Sequence, residues 1–199
     1  MKSTHPYEPF IPAGATKLII GTIPPPRFCK DPQVLEQDDV NFYYGSKDNY
    51  FWEILSEVFK EELDYANTQN AIDQRKNLLK KIKVGITDII AHCEHKNDSA
   101  SDKDLENPSH KDLKKLLEDY PQINCLIYTS EYVKKQVNDY FKTYHSIDSG
   151  DKKKQTLKIL DKTYNVRILY SPSPQALRNL GPNGKEERLK QYKKFLLEN

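Results

Sequence analysis

Tyr43-Tyr44-Gly45-Ser46-Lys47-Asp48-Asn49-Tyr50-Phe51-Trp52 is the stretch whose reading decides the fold. Two aromatics lead into a Gly-Ser-Lys-Asp turn, and a second aromatic pair opens an apolar helix. Phe51, Trp52, Ile54, Leu55, Val58 and Phe59 recur at helical spacing, so this helix has a buried face. Asp48 is the expected N-cap, because its short side chain can accept from the unpaired amides of the first turn. Asn49 is a neutral amide at the helix mouth, between an aromatic loop and an aromatic core. Such a position can fix a water molecule or the edge of a ring. It also suits a local cap partner.

Outward from this stretch the chain alternates between apolar runs and helical patterns. Lys17–Thr22 reads as a short buried strand and is followed by Ile23-Pro24-Pro25-Pro26-Arg27-Phe28, a stiff extended loop. A second helix is expected over 70–83, a strand over 84–90, and a polar, turn-rich loop over 92–102. Ser109 is the expected cap of a helix through Leu113, Leu116 and Leu117. A strand over 123–128 and a helix capped by Ser130 follow. Residues 156–160 and 163–170 read as an antiparallel hairpin, separated by Asp161-Lys162, with a charged loop including Asp151 before it. The last helix is expected to bury Leu189, Tyr192, Phe195 and Leu196. Strands alternating with helices of this length predict an α/β three-layer sandwich. Its four-stranded, mainly parallel sheet is flanked by helices and carries a hairpin edge strand. A single domain over 1–199, with 1–16 as an extended arm rich in proline, accounts for the whole chain.

Composition narrows the class. Of the 199 residues, 30% are charged and 37% apolar, and no apolar run has the length of a membrane span. No apolar signal region opens the chain. The three cysteines, Cys29, Cys93 and Cys125, are odd in number and far apart, which suits a reducing compartment; the expected location is cytoplasmic and the expected state monomeric. The net charge of +2 does not by itself announce a nucleic acid partner. His92, Cys93 and His95 match no complete zinc pattern, and no metal is expected. There is no GxGxxG and no Walker loop, so no nucleotide cofactor is expected.

Three loops leave the carboxyl ends of the expected parallel strands: Ile23–Phe28 leading into Tyr43–Asn49, the loop after Ile90, and Ser171–Arg178. Such ends share one rim of the sheet. In their order and spacing they resemble the uracil-DNA glycosylase superfamily, nearest the hypoxanthine-DNA glycosylase and mismatch-specific branch. Gly21-Thr22-Ile23-Pro24-Pro25 resembles its first motif. Tyr43–Trp52 resembles its Tyr-Tyr-x-x-x-x-Asn-x-Phe-Trp segment, and Val84-Gly85-Ile86-Thr87-Asp88 its Gly-Ile/Leu-x-Asp strand. Ser171-Pro172-Ser173-Pro174 resembles its second motif.

The resemblance implies hydrolysis of the N-glycosidic bond of a damaged base in DNA, without metal or cofactor. The base is swung out of the stack first. Tyr44 stands where the family stacks an aromatic on the base, with Gly21, Thr22, Ile23 and Pro24 along the base-binding loop. Ser171, Pro172 and Ser173 are placed to hold phosphates. Pro174, Gln175 or Leu177 would fill the vacated stack, and Arg178 would hold the flanking backbone. Many branches carry Asn or Asp where this chain has Ile23, and Gly where it has Pro25. The hypoxanthine branch shares the first departure and uses the amide at the position of Asn49. Asn49 is therefore the expected catalytic residue, positioning the attacking water and contacting the base. Asp48 and Asp88 are alternative bases, more simply read as a cap and a strand end. A DNA-binding relative without chemistry, or an enzyme acting on free nucleosides, would use the same rim.

Overall fold

The computed structural model describes residues 2–30, 33–143, 146–147, 152–159 and 161–197. Asp151 and Leu160, the expected members of a charged loop and a strand end, lie outside them. Strands run as β1 (Lys2–Thr4), β2 (Lys17–Gly21), β3 (Val84–Asp88), β4 (Ile90–His95), β5 (Leu105–His110), β6 (Cys125–Tyr128), β7 (Ser146–Ile147), β8 (Lys154–Ile159) and β9 (Lys162–Ile168). Helices run as α1 (Pro26–Cys29), α2 (Phe51–Phe59), α3 (Gln69–Ile82), α4 (Leu113–Asp119), α5 (Glu131–Phe141), α6 (Pro174–Asn179) and α7 (Gly184–Leu197).

The main sheet has the order β3-β2-β6-β9-β8-β7. Strands β3, β2, β6 and β9 are mutually parallel. Strands β8 and β7 are added antiparallel at one edge. The expected parallel sheet is thus the parallel part of a mixed six-stranded one. Its strands read as unbroken apolar runs because both faces are covered. Pleating sends alternate residues to opposite faces. Ile19, Ile86 and Ile127 meet Phe51, Trp52, Leu55, Leu78 and Tyr192 from α2, α3 and α7. Leu18, Ile20, Leu126 and Ile168 meet Leu113, Leu117, Val133 and Val137 from α4 and α5. Burying each such side chain contributes about 1.5–3 kcal/mol, which is why these helices stay docked.

The chain corrects the expected boundaries in several places. The strand expected over 84–90 breaks after Asp88, and Ile90–His95 joins a second sheet of order β1-β4-β5. His92 and Cys93 are therefore strand residues paired with Thr4 and Ser3 of the arm rather than loop residues. Ser109 lies in β5, and Asp112 caps α4 by accepting from the Lys115 N–H at 2.9 Å. Part of the proline loop, from Pro26, coils into α1, with the ring at the first helical position where no N–H is needed. Asp48 does not cap α2. Its carboxylate lies 3.3 Å from Arg27, and Asn49 serves the helix mouth instead. Among the described residues no helix is long and apolar enough to cross a membrane.

One topological feature positions the site. From β2 the chain passes to β3 on one side, then returns to β6 on the other. The loops after β2 and β6 therefore diverge and leave a crevice at the carboxyl ends of these two neighbours, where open α/β sheets bind ligands.

Candidate functional site

Gly21 ends β2 at the floor of this crevice. A Cβ built there would lie 2.2 Å from Asp88 Oδ1 and 2.2 Å from the Tyr44 hydroxyl. The missing side chain is what lets these two polar groups converge. Tyr44 is held in a left-handed backbone conformation, φ 54°, a costly state for a bulky residue that surrounding contacts must maintain. Its ring stacks on Phe51 at 4.4 Å between centroids and 24° between planes. Its hydroxyl is 2.7 Å from Thr129 Oγ1, just beyond β6. Burial, then the negative charge of Asp88, push the Tyr44 phenol well above its ordinary range, so it stays protonated.

Asp88 is buried and anchored from behind. His5 Nε2 lies 2.8 Å from its Oδ2. His5 Nδ1 faces two donors, the Tyr7 N–H at 3.1 Å and Lys111 Nζ at 2.9 Å, so the hydrogen given to Asp88 is the one on Nε2. The arm is thereby tied to the end of β3. A cavity of about 550 Å³ lies behind this array, lined by Thr4, His5, Thr87, Asp88 and Lys111 among others. None of Asn49, Tyr44 or Ser171–Arg178 lines it.

Asn49 is half-buried, and its Oδ1 accepts the Phe51 N–H at 2.9 Å. Its Nδ2 has no partner among the described residues. The next residue joins the two recognised loops: the Tyr50 N–H donates to Pro172 O at 3.1 Å. On the second loop, Ser173 caps α6 by accepting from the Ala176 N–H at 3.2 Å. Ser171 Oγ lies 3.3 Å from both the Ser173 hydroxyl and the Ser173 N–H. Pro174 occupies the first turn of α6, and Gln175 and Arg178 are exposed and bonded to each other at 2.6 Å. Buried Arg188 supports the loop from below, donating to Ser173 O at 3.3 Å. Thr22 and Ile23 are half-buried at the rim and Pro24 is buried.

The loop of residues 36–48 is held by buried Asp39. Arg27 donates to it from Nε at 2.7 Å and from Nη2 at 2.8 Å, and the N–H groups of Glu36 and Lys47 complete its shell. Burial pushes the Asp39 carboxyl up, but these donors outweigh it and hold the group below its ordinary value.

One perturbed carboxyl was absent from the sequence reading. Asp102 sits in a turn, Asp102–Asp104, between β4 and β5. Burial raises its carboxyl to about 6, and the negative charge of Asp88 adds to the rise. No spacing in a polar, turn-rich segment announces this. Among the described residues no group of three His, Cys, Asp or Glu is placed to hold a metal ion.

No protein-family model matches the chain. No curated protein matches it either. Among solved structures it is similar to the solution NMR structure of a "putative Uracil DNA glycosylase" from Methanosarcina acetivorans. The TM-score is 0.61 at 15% identity, covering 100% of both chains. The full-length match, at an identity too low for sequence comparison, gives this chain the same mixed α/β fold as that structure.

Proposed function

We propose that this protein is a DNA glycosylase that hydrolyses the N-glycosidic bond of a flipped-out deaminated base, uracil or hypoxanthine. The observation that carries the reading is the meeting of the two recognised loops at the sheet's crevice, through the Tyr50 N–H on Pro172 O. The likeness of the whole fold to one solved glycosylase-named structure supports it.

In this reading the base enters against the face of Tyr44 turned away from Phe51. Gly21, Thr22, Ile23 and Pro24 border its edge. Asn49 Nδ2 donates to the base as negative charge builds on it. Its Oδ1, engaged once by Phe51, keeps a second lone pair toward solvent. A base leaving as an anion needs donors that are already oriented, and a side chain pinned at a helix mouth supplies one at little reorganisation cost. Ser171, Pro172 and Ser173 hold the phosphate backbone, Pro174 and Gln175 enter the vacated stack, and Arg178 pairs with the flanking phosphate. Extrusion costs a few kcal/mol and is cheapest at mismatched or unpaired sites.

The test is a panel of oligonucleotides, each with one uracil, hypoxanthine or related lesion, single-stranded and paired, treated with hot alkali after incubation. Strand scission at the lesion is expected. Its absence for every base and pairing removes the enzyme reading. Asn49→Ala should slow release by about 10²–10³-fold, and an unaffected rate would remove the assignment of Asn49 alone. A second reading draws on Ile23 and on the capping role of Asn49. A DNA-binding protein without chemistry would show salt-sensitive binding and no base release.

A further inference from the structure

Helix α7 brings a buried charge against the second recognised loop. Arg188 is 1% exposed, and among the described residues its one hydrogen bond runs from Nη2 to Ser173 O at 3.3 Å. Its Nε is buried and has no partner there. None of the described carboxylates forms an ion pair with it, whereas its neighbours on the same helix are paired, Lys185 with Glu53 and Glu57, and Lys190 with Glu186. The ionisable groups acting on it are the phenols of Tyr192 and Tyr50. Burial pulls the guanidinium below its ordinary value, yet an arginine stays charged at neutral pH. Buried charges are normally paired, and an uncompensated one lowers stability. This fold keeps one beneath a loop rich in hydroxyls.

The loop itself is arranged to receive an anion. Pro172 O is taken by the Tyr50 N–H at 3.1 Å and Ser173 O by Arg188, so two carbonyl oxygens that would repel a phosphate are already engaged. Ser173 Oγ accepts from the Ala176 N–H and lies 3.3 Å from Ser171 Oγ, which leaves its own hydroxyl hydrogen to donate. We propose that Arg188 is the positioning cation of this loop, and that its unpaired charge draws a backbone phosphodiester of DNA onto the Ser171 and Ser173 hydroxyls. This role rests on the glycosylase reading, in which the loop holds the strand beside the extruded nucleotide. The phosphate supplies the negative charge that the protein withholds, so a group that destabilises the free chain stabilises the complex.

Binding is measured by fluorescence anisotropy over a range of salt, on a duplex carrying a tetrahydrofuran abasic site, which has no base to release. Arg188→Met keeps the volume and removes the charge. It should bind about tenfold more weakly, and its log–log salt slope should be shallower by about 0.9, the change expected for one phosphate. It should also melt no lower than the parent, because an uncompensated buried charge is gone. A purely structural role predicts the reverse, a lower melting temperature with the slope unchanged, and that result overturns the assignment. Arg188→Lys keeps the charge and should keep the slope; a slope lost there as in Arg188→Met overturns it as well. Arg188→Gln, which keeps a donor for Ser173 O without the charge, decides the matter if Arg188→Met does not fold. An unchanged slope in the uncharged variant that folds overturns the assignment while DNA binding and base release by the wild type stand. A wild-type protein that does not bind the duplex overturns the assignment, and if it is also silent on the lesion panel the glycosylase reading falls with it.

Discussion

At position 21 there is no room for even a methyl group. A Cβ would strike Asp88 Oδ1 and the Tyr44 hydroxyl, and Tyr44 cannot swing away freely because its ring lies on Phe51. Gly21→Ala is expected to cost about 1–3 kcal/mol in urea unfolding and to lower base release by displacing Tyr44. Asp102 gives the opposite sign of effect on stability. Its folded carboxyl titrates at about 6 against an ordinary 3.8. Between these values the folded chain binds a proton that the unfolded chain has lost, so stability falls as pH rises across that window. At neutral pH the penalty is complete, at most about 3 kcal/mol and smaller because the side chain is partly solvated. Asp102→Asn is therefore expected to melt higher than the parent at neutral pH, with the difference vanishing below pH 4. Equal melting curves at both pH values would contradict this. Position 49 stands out in sequence as an amide between two aromatic segments, and the structure gives it a bond from the Phe51 N–H at the helix mouth, whereas the raised carboxyl of Asp102 leaves no local mark in a polar, turn-rich segment.

Among the elements, the loop of residues 36–48 depends on one ion pair. Arg27→Ala strands the Asp39 carboxylate with no cation, and breaking such a buried pair costs about 3–5 kcal/mol. Asp39 is held below its ordinary value, so it contributes stability above the unfolded value near 4, and this is lost as pH falls through the depressed one. The parent should show this acid loss by circular dichroism, and Asp39→Asn should show less of it. The helices were largely readable, since α3 and α5 turn apolar stripes inward and α5 is capped by Ser130, though the Thr68 cap of α3 was not foreseen. The start of α2 was not placed correctly. Asp48 and Asn49 are both good caps, and the choice was made by Arg27, which takes Asp48 from a distant part of the chain.

For the whole molecule, the parallel strands were legible because burial on both faces leaves plain apolar runs. The second sheet was hidden. In β4, buried and exposed residues alternate imperfectly, and its partner β1 lies in an arm that reads as polar and proline-rich. On the glycosylase reading, DNA is held by local Lys and Arg contacts to phosphates rather than by the net charge of +2. Affinity for a lesion duplex, followed by fluorescence anisotropy, should fall with added salt on a shallow log–log slope, near −0.9 for each phosphate neutralised. A slope of zero would argue against backbone contacts.

The β4–β5 hairpin is rooted beside the main sheet's crevice, where the Ile90 N–H donates to Thr22 O at 3.1 Å, while its strands pair with each other and with the arm. It behaves as a cassette. Grafting a different tip onto the same two strands would leave the aromatic stretch and the strand order of the main sheet intact.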